Sequence, residues 1–435
     1  MLKKISGWGK YPKIYSNMVA PKSFNSLMEI LLSKPSSFIA RGNGRSYGDA
    51  AINKELTIKM TNLNKIESFD LNSGEVIAES GVLISDLINR CLPQGWFPFV
   101  VAGTKFITLG GAIACDVHGK NHHNDGSFGK YVKWIEIIDE DNKILRCSKN
   151  ENKKLFEWTI GGMGFTGIIT KCCIQLMKIE TSWINKNIIK NQNLSETLNS
   201  FDQYQSHHYS VAWIDCGAKG KNFGRSILFT GSHATYSDIG KKRPLKLISN
   251  KLISLNFNPP SFLINQLTVS LFNKIYFLMH KSKRNYLINY EKFFFPLDSI
   301  NGWNNIYGKK GFFQFQCVIP TKSSTKALNE ILHTIQKFNS NSFLSVLKKF
   351  GNGNGQLSFP IQGYTISLDF KMSNKNISLA NKLHSIVEKY SGRVYLAKDA
   401  LHNHDRFFSE KIREMKAKGI KMSAANSELL KRKNI

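Results

Sequence analysis

The chain has 435 residues, 42% of them apolar and 11% aromatic, with no low-complexity tract and no internal repeat. That length exceeds one ordinary hydrophobic core, so two domains are the default, and the composition excludes a disordered or fibrous chain. Lysine and arginine number 60 against 31 acids, a formal charge of +29, which suits an anionic membrane, a lipid phosphate or nucleic acid, or else records an AT-rich codon bias; no nucleic-acid motif accompanies it.

From the N-terminus, "MLKKISGWGKYPK" is basic but runs into no apolar stretch. It predicts no signal peptide and a cytoplasmic protein, peripheral to the inner face of the plasma membrane if it meets a membrane at all. "GEVIAESG" reads as a strand and "SDLINRCLPQGW" as a short helix stopped by Pro93 and Gly95. "YVKWIEIIDEDNKILRCS" reads as a hairpin turning at Asp139–Asn142. In "GIITKCCIQLMKI" a strand would place Ile168, Thr170, Cys172, Ile174 and Leu176 on one face. Beyond about Glu180 the strands "YSVAWIDC", "FFQFQCVIP", "FLSVLKKFG" and "YTISLDFKM" alternate with period two. Two helices lie among them. One carries Leu328, Ile331, Leu332 and Ile335; the other carries Leu379, Leu383, Ile386, Val387 and Tyr390, with Gly392 expected as its left-handed C-terminal residue. Antiparallel strands with helices on one face predict an α+β second domain. The apolar stretch at 261–280, "SFLINQLTVSLFNKIYFLMH", follows Pro259 and Pro260 and is interrupted by Asn265, Gln266, Asn273 and Lys274. It reads as a core helix, a lid or an interfacial helix rather than a membrane span. The seven cysteines are odd in number and include no C-x-x-C, the pattern of reduced thiols.

Glycine carries the functional signal. "ARGNGRSYGDAA" has glycines at 42, 44 and 48 and is followed by the strand-like "LTIKM", so it is a loop between strands and not the dinucleotide fingerprint of a strand–helix turn. Such a loop turns backbone N–H groups inward as a nest for pyrophosphate, with Arg41, Arg45 and Ser46 to add charge and hydroxyl contacts. "GTKFITLGGAIACDVHG" and "GGMGFTGII" supply two further glycine-rich segments. Three of them imply close backbone approach along the length of a dinucleotide. Within "GGAIACDVHGKNHH", Cys115, His118, His122 and His123 do not have the spacing of a zinc site, and no orienting partner makes a Cys–His nucleophile. The segment reads instead as a cofactor wall, with no metal expected and His118 and Lys120 facing a substrate.

"RGNGRSYGDAA", "GTKFITLGGAIACDVHGKNHHNDGSFG", "GGMGFTGII" and "YLAKD" together resemble the FAD-binding oxidoreductases of the vanillyl-alcohol-oxidase (PCMH) type, and among them the branch that oxidises polyprenylphosphoryl ribose. The likeness runs in order over most of the chain and is weak from about Ser232 to Tyr290. It implies an α+β flavoprotein of two domains: an FAD-binding domain over 1–180, a substrate domain with an antiparallel sheet over 181–392, and a C-terminal segment, 393–435, returning to the FAD domain. It implies FAD held by Arg41, Gly42, Asn43, Gly44, Arg45, Ser46, Tyr47, Gly48, Asp49, Ala50 and Ala51, by Gly103, by Thr108, Leu109, Gly110 and Gly111, by Cys115, Asp116, Val117 and His118, and by Ile168 and Tyr395. Covalent relatives link flavin through a histidine of the first loop. Here Tyr47 and no histidine is found in that loop, so non-covalent FAD is expected.

On the substrate side the resemblance implies Tyr209, Trp213, Gln314, Gln316, Lys348 and Ser367 as binding residues, and Lys398, His118 and Lys120 as catalytic ones. Ser367 replaces the cysteine that covalent inhibitors of the family modify, so such inhibitors are not expected to bond here. The implied reaction is oxidation of a secondary sugar hydroxyl to a ketone, with a polyprenyl-phosphate sugar as substrate, hydride passing to the flavin and Lys398 managing the hydroxyl proton. A short-chain-dehydrogenase reductase is the implied partner. A peripheral membrane contact would suit a lipid substrate, and nucleic acid is not expected as a partner. Two alternatives stay open: a flavin oxidase of a soluble sugar, polyol or aldonolactone, and a basic nucleic-acid-binding protein whose glycine loops are only turns.

Overall fold

A computed structural model describes residues 2–248, 253–255, 257–258, 260, 264–403, 405–422 and 427–433. Among these, three sheets carry the architecture. The first has the order Leu2–Ser6, Lys13–Val19, Leu56–Lys59, Phe38–Arg41, its last two junctions parallel. The glycine loop 42–51 therefore joins two neighbouring parallel strands, as its flanks predict. The second sheet is antiparallel: Ile66–Phe69, Glu75–Glu79, Ile168–Lys178, Val132–Ile138, Ile144–Ser148, with Trp96–Pro98 paired to Ile168–Lys178. The helix Ile84–Cys91 stops where Pro93 and then Gly95, at φ 81°, break it.

The third sheet has eight antiparallel strands, in the order Lys283–Asn289, Trp183–Asn191, Ser226–His233, Tyr209–Ile214, Ser345–Phe350, Gly363–Lys371, Phe312–Pro320, Arg393–Val394. The strand pleat sorts its side chains. Phe313, Phe315, Cys317, Ile366, Leu368, Leu347, Ala212 and Ile214 point to a core shared with the helices Leu194–Gln203, Ser324–Lys337 and Asn374–Lys389. The alternate residues point the other way. Two details differ from the expectations. The sheet runs to Val394, two residues into the segment assigned to the FAD domain. The left-handed residue after Asn374–Lys389 is Ser391, at φ 54°, and Gly392 follows it, its N–H reaching Val387 O at 2.8 Å. This is the two-bond helix ending, shifted by one residue, because the helix stops a residue earlier than the apolar spacing suggests.

The stretch at 261–280 forms a helix over Gln266–Met279, capped by the Asn265 side chain. Residues 261–263 and Pro259 lie outside the described residues. No helix among the described residues is long and apolar enough to cross a membrane.

The C-terminal segment is pinned to the first glycine loop. Arg432 donates to both oxygens of Asp49, at 2.8 and 3.0 Å, and to Asp399 at 3.2 Å. Leu429 and Leu430 share a core with Ala50, Trp158 and Phe165. Burial alone would raise the Asp399 carboxyl, yet Arg432 and Lys433 hold it well below the usual carboxylate range. A carboxyl depressed in the folded state stabilises fully above its unfolded pKa, and the contribution is lost as pH falls through the folded value. Arg432→Met leaves two buried carboxylates short of a partner and is expected to cost about 3–5 kcal/mol, read as a lowered Tm. The wild-type Tm is expected to fall on acidification below about pH 4, where an unfolded aspartate takes up its proton, and that slope to flatten in the variant.

Candidate functional site

One cavity of about 900 Å³ lies between the glycine loops and the free face of the eight-stranded sheet. The first loop is held open from outside. Trp8 and Gly9 donate to Ser46 O and Tyr47 O at 2.7 and 3.0 Å, and Tyr47 N–H reaches Ala397 O at 3.0 Å. A Cβ on Gly48 would sit 1.9 Å from Asp399 O, so the loop passes this point only as glycine. Gly42, Asn43, Gly44, Arg45, Ser46, Tyr47, Ala50 and Ala51 line the cavity. From the second segment come Gly103, Thr108, Gly110, Gly111, Cys115, Val117 and His118, and from the third Met163, Gly164 and Gly167. Thr108 caps the short helix Leu109–Ala114, its hydroxyl accepting from Gly111 N–H at 3.2 Å.

The sheet supplies the opposite wall. Its register sets Trp213 against Val346, Val346 against Ser367 and Ser367 against Gln316, one row of side chains across four strands. Gln314 pairs with Asp369 in the row on one side of it, and Lys348 with Thr365 in the row on the other. Trp213, Gln314, Gln316, Lys348 and Ser367 all face the cavity, as does Tyr395 from the turn after the last strand. Lys398 follows in that turn, its ammonium 3.5 Å from the centre of the Tyr47 ring.

Several residues named from the sequence stand elsewhere. The Arg41 guanidinium donates to Ser6 O at 2.8 Å and Ala51 O at 3.2 Å, closing the base of the loop. Asp49 is taken by Arg432, as described above. Leu109 is buried in the second sheet's core. The Asp116 carboxylate accepts from the Ser127 and Ser358 hydroxyls and from Gly129 N–H, which makes it a staple behind the wall. Ile168 points into the core with Ile138 while its neighbour Ile169 lines the cavity, since alternate residues of a strand face opposite ways. Tyr209, at the end of its strand, packs against Phe293 and Phe294. Lys120 does reach the cavity, but its ammonium donates to Phe293 O and Phe294 O and lies 4.7 Å from the Phe293 ring centre. His122 accepts from Gly351 N–H at 3.2 Å and His123 turns to His207 O at 3.1 Å, so the histidines of this segment diverge.

The electrostatics are cationic and desolvated. Burial, then Lys186 and Lys348, push Lys120 well below the usual lysine range. Burial alone brings Lys348 and Lys186 each to about 8. Lys398 is lowered by burial and by Lys348, with Asp369 pulling the other way; Asp369 is raised by burial. Gln314 and the Tyr307 hydroxyl donate to that carboxyl. His118 is driven well below the usual histidine range by burial, then Lys348, and so is neutral. Gln316 Nε2 donates to its Nε2 at 2.9 Å, which leaves the ring proton on Nδ1, facing no partner. Lys186, Phe229, Tyr276 and Asp369 were missed from the sequence. Asp369 carried a signal, two positions from Ser367 on one strand face. Lys186 carried none, because its strand neighbours do not announce which face meets the cavity.

Residues 18–148 match the FAD binding domain family. Decaprenylphosphoryl-beta-D-ribose oxidase of Mycolicibacterium smegmatis is 34% identical over 93% of this chain and 90% of its own length. L-gulonolactone oxidase of Scyliorhinus torazame is 22% identical over 47% of this chain and 46% of its own. D-lactate dehydrogenase of Anaerostipes hadrus is 28% identical over 37% and 35%.

The two glycine loops meet at Gly42, where a Cβ would stand 2.2 Å from the capping hydroxyl of Thr108; at Gly103 it would meet nothing within 4 Å. Gly42→Ala is therefore expected to lower stability by about 1–3 kcal/mol through overpacking, and Gly103→Ala to leave it nearly unchanged. Thermal melts of the two variants measured side by side check the difference.

Proposed function

Because the chain belongs to the FAD-dependent oxidoreductases that include decaprenylphosphoryl-β-D-ribose oxidase, we propose that it oxidises the 2-hydroxyl of a polyprenylphosphoryl-β-D-ribose to a ketone. This would be the first half of a 2′-epimerisation toward an arabinose donor. The observation that carries the choice of an anionic substrate is the pair Lys186 and Lys348, two cavity cations whose pKa values are set by burial with no carboxylate to offset it. A phosphodiester supplies the missing charge. A neutral polyol or lactone leaves both lysines desolvated and uncompensated, which disfavours the soluble-sugar alternative. The keto product needs a reductase to complete the epimerisation, for which a short-chain dehydrogenase is the partner class.

The cavity walls fit FAD. Arg45 Nε and Ser80 Oγ are buried at the cavity without a hydrogen-bond partner among the described residues. They offer donors to a polar group lying between the loops, and Gly103 keeps its side open. Gly42–Tyr47, Gly103, Thr108, Gly110, Gly111, Cys115, Val117, His118 and Tyr395 would hold it. When bound, FAD supplies the acceptor for the hydride from the carbinol C–H.

The chain's own residues have the remaining work. The carbinol must lose its hydroxyl proton as the C–H bond breaks, and Lys398 is the group whose depressed pKa lets a free amine exist to take it. Lys348 sustains that depression, while the charge of Asp369 opposes it. Gln316 holds the neutral His118 ring in one tautomer, so His118 serves to orient the sugar through Nδ1–H. The Ser367 hydroxyl and Gln314 flank the same row and can bind sugar hydroxyls. Lys120, held on Phe293 O, braces the wall.

Anaerobic mixing with polyprenylphosphoryl ribose is expected to bleach the flavin, while free alditols and aldonolactones leave it yellow; bleaching by the latter alone would refute the lipid reading. Lys398→Ala is expected to retain flavin and slow its reduction by about 10²–10⁴-fold. Since the free amine is the active form, wild-type reduction is expected to rise with pH along a limb below the ordinary lysine range, and Lys398→Arg to lose that limb. Non-covalent binding predicts that acid precipitation leaves all flavin in the supernatant; flavin in the pellet would contradict it.

A further inference from the structure

The helix Gln266–Met279 has three faces. Val269, Asn273 and Phe277 turn inward, with Asn273 donating to Asp215 at 3.0 Å and to Ser342 O at 3.2 Å. Phe272 and Tyr276, with His280 just past the end, line the cavity. Leu267, Leu271, Ile275 and Leu278, at helical spacing, are 81%, 59%, 46% and 61% exposed. A fourteen-residue helix with its inward face this well anchored has no folding reason to put four large apolar side chains in water. Ile253 and Phe257 are also exposed, and the strand Ile253–Ser254 pairs with Ile300–Asn301, which line the cavity.

The surroundings identify the partner. Between Asp238 and Glu291 the sequence holds nine lysines and arginines and no acid. Lys274 on the helix and Lys281, Lys283 and Arg284 just beyond it are all exposed. An apolar ridge bordered by cations and free of acids complements an anionic lipid surface, where the ridge enters the acyl boundary and the lysines meet headgroups. At ~21 Å the helix is too short to span a hydrocarbon core of ~30 Å, so it would lie in the interface plane.

We propose that the outer face of Gln266–Met279 docks the protein on an anionic bilayer, with the cavity mouth held at the membrane surface. This deepens the lipid-substrate reading above and rests on it only for purpose. The same helix borders the bilayer with one face and the cavity with another, so a lipid-borne sugar could enter without its tail crossing water.

The test is sedimentation of the flavin-loaded enzyme with phosphatidylcholine vesicles, with and without phosphatidylglycerol. Wild type is expected to bind the mixed vesicles, to bind pure phosphatidylcholine much less, and to be released by high salt. The triple variant Leu271→Glu, Ile275→Glu, Leu278→Glu is expected to bind the mixed vesicles at least about tenfold more weakly, while its flavin spectrum and its reduction by a short-chain substrate analogue stay unchanged. Lys274→Gln with Lys281→Gln is expected to weaken binding and its salt dependence together. Wild type remaining in the supernatant, or the triple variant binding equally well, overturns the proposal. So does a wild-type dimer that the triple substitution turns into a monomer without any vesicle binding, which would make the ridge a subunit interface. Vesicle binding is measured without substrate, so it can fail while flavin reduction succeeds, and the reverse.

Discussion

The pleat of one antiparallel sheet governs this site. Along Phe312–Pro320, alternate side chains go to the helices or to the cavity, and the neighbouring strands obey the same alternation in register. Shifting any one of these strands by a residue would bury Gln316, Ser367 or Lys348 under three helices and expose phenylalanines to the cavity. The cost of placing those polar and charged groups in an apolar core enforces the register. The cavity wall is thus a by-product of the helix-side core, whose Phe313, Phe315, Ile366 and Leu368 leave the strands one arrangement.

Opposite that rigid wall, the flavin side is made of loops. The first of them is not free, because it is tied to distant parts of the chain. The N-terminal Trp8–Gly9 and the C-terminal Ala397 grip the first loop by its backbone, and Arg432 reaches across to Asp49. Gly42 and Gly48 let backbones pass within contact of Thr108 and Asp399. Segments remote in sequence are here the clamps that shape this side of the cavity.

Electrostatics link the two walls. Lysines from four separate elements converge on one low-dielectric space, and Asp369 offsets the burial of Lys398 alone. Mutual repulsion and desolvation make the unliganded site costly and lower the lysine pKa values. The same terms make it receptive to anions and leave Lys398 able to act as a base near neutral pH.

Much of this was legible in the residues. The glycine loops, the two long helices and the alternating strands each announce themselves through backbone freedom or hydrophobic period, which are local properties. The motif resemblance extended that reading to Lys398, Gln314, Gln316 and Lys348, whose side chains do meet at the cavity. The misplacements were of one kind: Ile168 for Ile169, Arg41 turned to its own loop, Tyr209 packed in a core, and Lys186 overlooked. In each case residue type and spacing were read correctly, but the direction of a side chain relative to a distant element was not there to be read. By itself the sequence determined elements, their periodicity and the chemistry available to the site, because those follow from each residue and its near neighbours. Only the tertiary structure decided which strand face meets the cavity, which cations stand close enough to depress one another, and which apolar helix face is left uncovered, because those depend on register and long-range packing between residues hundreds of positions apart.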